Sequence, residues 1–248
     1  WTTARNIRSK PHPKLYLFPD MNFKEILPAI QVMTPEETLL SYCYFVEPDD
    51  KFEPETPAAY KANLYVPAEN SEKIETVLDA YWQETKAKLK ELNPNKKAND
   101  YKLNPLPWRW VDSDDGSKQA DDIKSLGLDK AFFLKVKRPA YKTDKQGNKR
   151  PNTPPILFDS SCQRNNGKLI PLSDDDKQQY IKIGPGSTAQ VGIWARPYSN
   201  VSTGVSLTIA AVNIKNFIPF QNQVNWEFTV DEAQQAGSGT PSTNDFDF

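Results

Sequence analysis

Apolar and polar positions alternate at two periods along this chain, and the segments they mark out are mostly strands. Leu39 to Val46 is aromatic and β-branched, apolar on both faces and closed by Pro48-Asp49-Asp50, the pattern of a buried strand. Tyr60, Ala62, Leu64 and Val66 then alternate with Lys61, Asn63 and Tyr65 up to Pro67, which predicts a paired strand with one face on the core. Beyond Ser71, a good N-cap residue, Ile74, Val77, Leu78, Tyr81, Trp82, Leu89 and Leu92 fall on one helical stripe that Pro94 stops. Glu72 and Glu75 at its start and Lys86, Lys88 and Lys90 near its end suit the helix dipole, and Trp82, on the stripe, reads as a core anchor.

Three further strands come after the helix. Phe132, Leu134 and Val136 form one face of the first, with Phe133, Lys135 and Lys137 on the other. The second turns Val191, Ile193 and Ala195 inward and Gln190, Trp194 and Arg196 outward, with Tyr198 continuing the outward line. The third, Val205 to Ile214, is expected to point Val205, Leu207, Ile209 and Ala211 inward, and a short strand is expected around Ile156-Leu157-Phe158. Five or six strands with one helix after the second, in about 180 residues, predict a mainly β fold closed into a small barrel. Residues 1–36, without sustained periodicity, read as an N-terminal extension, 37–218 as the domain and 219–248 as a flexible tail.

Composition adds a charge asymmetry. The 30-residue tail holds five carboxylates and no basic residue, so a formal net charge of −1 conceals a body of about +4. The tail ends Asp245-Phe246-Asp247-Phe248, carboxylates alternating with aromatics at a free end, as a segment read by a partner would. Cys43 and Cys162 are too far apart in sequence for a metal-type spacing, which fits a reducing cytosol and neither a disulfide framework nor a zinc site. No run approaches the ~18 apolar residues that cross a membrane, so a soluble protein is expected.

The candidate chemistry lies on the outward strand faces, where aromatics and cations alternate: Phe133, Lys135, Lys137 on one strand and Trp194, Arg196, Tyr198 on another. Between residues 130 and 150 eight cations, among them Arg138 and Lys142 flanking Tyr141, face Asp144 alone. Single-stranded nucleic acid needs this pairing, because cations follow phosphates while rings stack on unpaired bases at about 1–3 kcal/mol per base. Duplex readers present a helix to the major groove, and the one predicted helix mixes Glu with Lys on its polar face. The competing reading is a solvated lysine loop with aromatics closing a barrel end. Trp108-Arg109-Trp110 repeats the theme in a predicted loop, where the tryptophans either stack bases or cap the core.

Enzymatic chemistry finds little to stand on. His12, the only histidine, lies between two prolines in the extension; Gly184-Pro185-Gly186 lacks the Lys-Ser/Thr of a phosphate loop. Asp112-Ser113-Asp114-Asp115-Gly116 has its glycine one position early for a calcium loop and reads as a solvated turn, while Asp174-Asp175-Asp176 after Ser173 reads as a helix start or loop tip. No catalytic residue, metal site or cofactor is expected.

Several segments together resemble the OB-fold single-stranded DNA-binding proteins of short-tailed bacteriophages of the T-seven type. Tyr42-Cys43-Tyr44-Phe45-Val46-Glu47-Pro48-Asp49 is similar to the family's first strand and Pro-Asp turn, and Tyr60 to Pro67 to its second strand before the helix. Ile183-Gly184-Pro185-Gly186-Ser187 is similar to the approach to its fourth strand, and Arg196-Pro197-Tyr198 to the exit. The resemblance spans roughly residues 37–218 and the Asp247-Phe248 ending. It implies a five- to six-stranded OB-fold barrel in a non-enzymatic phage protein of the host cytoplasm that coats single-stranded DNA in replication and recombination. It further implies a homodimer whose tail contacts the phage DNA polymerase and helicase-primase. The alternative is a phage structural or assembly protein using the aromatic-cationic face for protein contacts, and a metal-dependent nuclease is a distant third.

Overall fold

A computed structural model describes residues 27–220, apart from 52, 54, 93, 96–101, 145 and 200–201. The strands are β1 (Ile30–Met33), β2 (Leu39–Asp49), β3 (Ala59–Pro67), β4 (Trp108–Asp112), β5 (Lys130–Pro139), β6 (Tyr141–Thr143), β7 (Lys149–Pro151), β8 (Ile156–Phe158), β9 (Arg164–Asn165), β10 (Lys168–Leu169), β11 (Thr188–Ser199) and β12 (Thr203–Asn216). The helices are α1 (Glu72–Leu92), α2 (Lys118–Ser125) and α3 (Asp174–Lys177). The main sheet runs β4-β5-β3-β2-β11-β12-β8, with β1 added beside β11.

Alternation drives the closure. Leu40, Phe45, Ala62, Leu64, Val66, Leu134, Val136, Val191 and Ile193 turn to one side and pack in a single buried cluster. The β5 strand pairs with β4 through its first half and lies against β12 near its far end, where Arg138 Nη1 donates to the Ile209 carbonyl at 3.1 Å. The β2–β3–β5 and β11–β12 ribbons thus curl into a barrel, joined on the other side at Thr188 and Leu39. The mainly β barrel expected from the sequence is what the chain forms, and α1 follows the second of its predicted strands. Ile74, Leu78, Tyr81, Trp82, Thr85 and Leu89 are the buried stripe of α1. Among the described residues no helix is long and apolar enough to cross a membrane.

Several expectations need correcting. Residues 27–36, which the sequence assigns to the extension, bury Leu27 in the core and supply β1, which pairs antiparallel with β11 from Ile30 opposite Ala195 to Met33 opposite Gly192. The predicted Trp108-Arg109-Trp110 loop is strand β4. Ala211 does not point inward, because a bulge in the β11–β12 ladder pairs Gly192 with Ala211 but Ile193 with Ile209; this reverses the alternation, and Val212 and Ile214 take the core positions. A second substantial helix is also absent from the sequence expectation. In α2 the Ser117 hydroxyl caps the start by accepting from the Ala120 N–H at 3.1 Å, and only Ala120 and Ile123 are buried.

The α2 helix lies on the outside of the barrel. Ala120 and Ile123 close a small second core with Tyr65, Val111, Ala131 and Phe133, and the Tyr65 hydroxyl donates to Asp122 at 2.5 Å. Burial, then the Asp122 hydrogen bond and charge, raise the Tyr65 phenol far above its ordinary range, so it stays a donor. Tyr65→Phe is expected to cost about 1.5–3 kcal/mol, the loss of a hydrogen bond to a charged acceptor. Hydrogen exchange should show faster exchange confined to α2; uniform acceleration across the barrel would mean that α2 is not a separately anchored layer.

Candidate nucleic-acid interface

On the outer face of β2, β3 and β5, beside the start of α2, lies a groove of about 680 Å³. Its floor is the outward line of the strands, Tyr44, Lys61, Asn63, Lys135 and Lys137, and its walls are the Pro105-Leu106-Pro107 segment, Arg109 and the first turn of α2 with Lys118 and Gln119. The Lys135 N–H donates to the Pro107 carbonyl at 2.7 Å, fixing the proline wall to β5. Six cations, Lys51, Lys61, Arg109, Lys118, Lys135 and Lys137, line the groove against one carboxylate, Asp49. That carboxylate is ion-paired with Lys61. Burial pushes Asp49 up, but the Lys61 hydrogen bond and charge, with help from Lys51, outweigh it and hold the group below the usual carboxylate range.

Two tyrosines stand in this basic setting. Tyr42 is 49% exposed and has a φ of 51°, rare for a bulky residue, at an irregularity between Ser41 and Tyr44 where β2 breaks its pairing with β3. The break leaves Cys43 and Phe45 in the core and gives Tyr42 to the surface. Lys118 Nζ lies 4.7 Å from the Tyr42 ring centre, and Lys61 and Lys51 lie 5.4 and 5.8 Å from that of Tyr44. Cations over ring faces keep phosphate-binding and stacking groups within one reach.

The residues singled out from the sequence divide into three groups. Lys135, Lys137 and Arg109 line the groove, Arg109 donating to Gln119 at 2.8 Å. Phe133 contributes to the lining but is only 6% exposed, since α2 covers it and Tyr65 packs at 5.3 Å between ring centres; it is a core residue rather than an open platform. Trp108 and Trp110 belong to α1: their indole N–H groups donate to Asp79 at 2.9 Å and Glu75 at 2.7 Å, and Trp108 is buried. Of the two roles that the sequence leaves open for them, they take the second and cap the core.

The remaining residues lie elsewhere. Trp194 and Arg196 sit together, the guanidinium carbon 5.7 Å from the ring centre, with Trp194 paired opposite Gln31 of β1 and outside the groove lining. Arg196 faces α1 instead, where its charge opposes the upward push of burial and Glu84 on Tyr81, a phenol held at about 12. Tyr198 packs against Gly204, where a Cβ would meet its hydroxyl at 2.7 Å, and accepts from Asn104 Nδ2 at 2.7 Å. Arg138 is tied to β12, while Tyr141 and Lys142 are exposed on the β6–β7 hairpin beyond the groove. Asp245, Phe246, Asp247 and Phe248 lie outside the described residues.

Sequence reasoning missed Tyr42, Tyr44, Lys51, Lys61 and Lys118. The available signal was chemical: Tyr42 and Tyr44 are two residues apart and carry hydroxyls in a stretch, Leu39 to Val46, that is otherwise mostly apolar, with Lys61 opposite Tyr44 in the ladder.

Against solved structures, the chain is similar to gp2.5, a single-stranded DNA binding protein encoded by bacteriophage T7, at 18% identity and a TM-score of 0.51, covering 87% of this chain and all of that one. The two chains share a fold. The single-stranded DNA-binding protein of bacteriophage Enc34, C-terminally truncated, matches at 15% identity and a TM-score of 0.47 over 77% of this chain and 88% of that one, and its complex with single-stranded DNA at 13% and 0.44 over 77% and 89%. No protein-family model and no curated protein sequence matches the chain.

The backbone at Tyr42 yields a direct test. A φ in the left-handed region costs a bulky side chain about 1–3 kcal/mol, and Asn tolerates that region far better. Tyr42→Asn is therefore expected to raise thermal stability or leave it unchanged despite the loss of a large ring. Marked destabilisation would show that the ring, not the backbone, is what the fold needs there.

Proposed function

We propose that the protein binds single-stranded DNA without strong sequence preference and without catalysis, in the groove between α2 and the outer face of β2–β3–β5. The observation that carries this is the meeting of six cations with the two outward tyrosines Tyr42 and Tyr44 in one open groove. The fold shared with the T7 protein supports it. A single strand laid along Lys61, Lys135 and Lys137 neutralises its phosphates there, while unpaired bases turn onto the tyrosine rings. Neither contact reads base identity. Residues 130–150 extend the positive field along β5 into the β6–β7 hairpin, which carries Lys142, Lys149 and Arg150 toward the strand's outgoing end.

The finer reading comes from the family resemblance. The protein acts in phage DNA replication and recombination as a homodimer, and the Asp245-Phe246-Asp247-Phe248 end contacts the phage polymerase and helicase-primase. Five carboxylates over 30 residues make this tail a weak competitor for the groove. Deleting residues 244–248 is expected to leave DNA affinity unchanged or slightly higher and to abolish polymerase binding in a pull-down; persistent binding would reduce the tail to a linker end.

Titration with an oligo-thymidine strand tests the groove. Tyr42→Ala and Tyr44→Ala are each expected to weaken binding by about 1–3 kcal/mol. Neutralising Lys135 and Lys137 to Gln should reduce the slope of log affinity against log salt by about 0.7 per lost phosphate contact. Folded variants that bind like the wild type, with the same slope, would remove this groove from the DNA path.

A further inference from the structure

The groove has a neighbour of opposite sign. Beyond Tyr42 and Tyr44 lies a second cavity of about 780 Å³ whose lining holds Glu47, Asp49, Asp50 and Asp122 against Lys51 and Lys182. Tyr42, Tyr44, Asp49 and Lys51 line both cavities, so the two are separated by little more than a pair of rings. Asp49 is paired with Lys61, and Asp122 accepts from Tyr65. Glu47 and Asp50 are exposed, and among the described residues neither side chain has an ion pair or hydrogen bond.

We infer that this carboxylate ledge, Glu47 and Asp50, makes the groove selective for single over double strands. The inference rests on the groove being the DNA site. Glu47 and Asp50 stand within two residues of Asp49, hence within about 7 Å of the shared wall at about 3.3 Å per strand residue. That is inside the Debye length of about 8–10 Å, so their charge reaches the tyrosine rim that the two cavities share.

A single strand has one backbone to place. It lies on the lysines of β3 and β5 and turns its bases, which carry no formal charge, toward the tyrosines and the ledge. A duplex has no free bases to offer and carries a second backbone across a groove about 6 or 12 Å wide. With one backbone on Lys61, Lys135 and Lys137, the tyrosine rim leads the second toward Glu47 and Asp50, where like charges meet. Specificity is a difference of affinities, and repulsion of the wrong ligand contributes to it as directly as attraction of the right one. The basic groove attracts both forms; the ledge penalises one.

The double variant Glu47→Gln/Asp50→Asn separates these effects, since both changes are near-isosteric and exposed. Fluorescence anisotropy would compare a labelled oligo-thymidine strand with a duplex of equal length. At low salt, duplex affinity is expected to rise roughly tenfold, the scale of two carboxylates acting on nearby phosphates, with single-strand affinity moving less than about twofold. The difference between variant and wild type should shrink as salt screens the ledge. Lys182→Gln, which leaves the second cavity more acidic, should shift the ratio toward single strands. An unchanged ratio in both variants, or an equal gain for both nucleic acids, would overturn the ledge while leaving the groove intact. A wild-type protein that binds neither nucleic acid would overturn the groove reading and this inference with it.

Discussion

A barrel strand that turns a corner cannot keep a strict two-residue alternation, and β2 meets that demand between Ser41 and Tyr44 with Tyr42 at a φ of 51°. The irregularity has three consequences at once. It sends Cys43 and Phe45 into the core, releases Tyr42 to the surface, and leaves Tyr44 on the outer face opposite Lys61. Both tyrosines therefore owe their positions to backbone geometry. Loss of that geometry would swap core and surface residues along β2, because a one-residue slip exchanges the two faces.

The α2 helix completes what the bulge begins. Its two buried residues are too few to hold it by apolar area alone, at about 1.5–3 kcal/mol for a large side chain. The Tyr65 to Asp122 hydrogen bond and the packing of Ile123 on Phe133 and Tyr65 fasten it to β3 and β5. So fastened, its first turn places Lys118 over Tyr42 on the groove side, while Asp122 and Ser125 face the second cavity. One short helix thus supplies a cationic wall to one cavity and an acidic one to its neighbour. Across the second cavity, Gly184 admits the close approach of the chain at Ile218 and Pro219, where a Cβ would meet both carbonyls at 2.9 Å. This contact brings Phe220, the last described residue, into the cavity lining.

Elements with long, regular patterns were legible in the sequence. The strands β2, β3, β5, β11 and β12 and the helix α1 bury enough residues at period 2 or 3.6 for the spacing alone to specify them. What escaped notice depends on partners distant in sequence. Phe133 looks outward by alternation and is buried because α2 covers it; Trp108 and Trp110 resemble stacking platforms until Asp79 and Glu75 of α1 take their indole protons into hydrogen bonds. Tyr42 and Tyr44 looked buried because nothing in the residue order announces a left-handed φ. The cations Lys135 and Lys137 of the groove were readable from β5, whereas the aromatics read from β11, Trp194 and Tyr198, lie outside its lining and the two tyrosines that line it come from β2.

Backbone hydrogen exchange with and without a saturating oligo-thymidine strand tests the central claim most directly, because it locates the contact without altering any side chain. Protection concentrated at residues 41–44, 61–63, 118–120 and 133–137, with β11 from Trp194 to Tyr198 unchanged, is the result predicted by a groove between α2 and β2–β3–β5. Protection centred on Trp194, Arg196 and Tyr198 with the β2 irregularity unaffected would contradict it and move the DNA path to the opposite ribbon of the barrel.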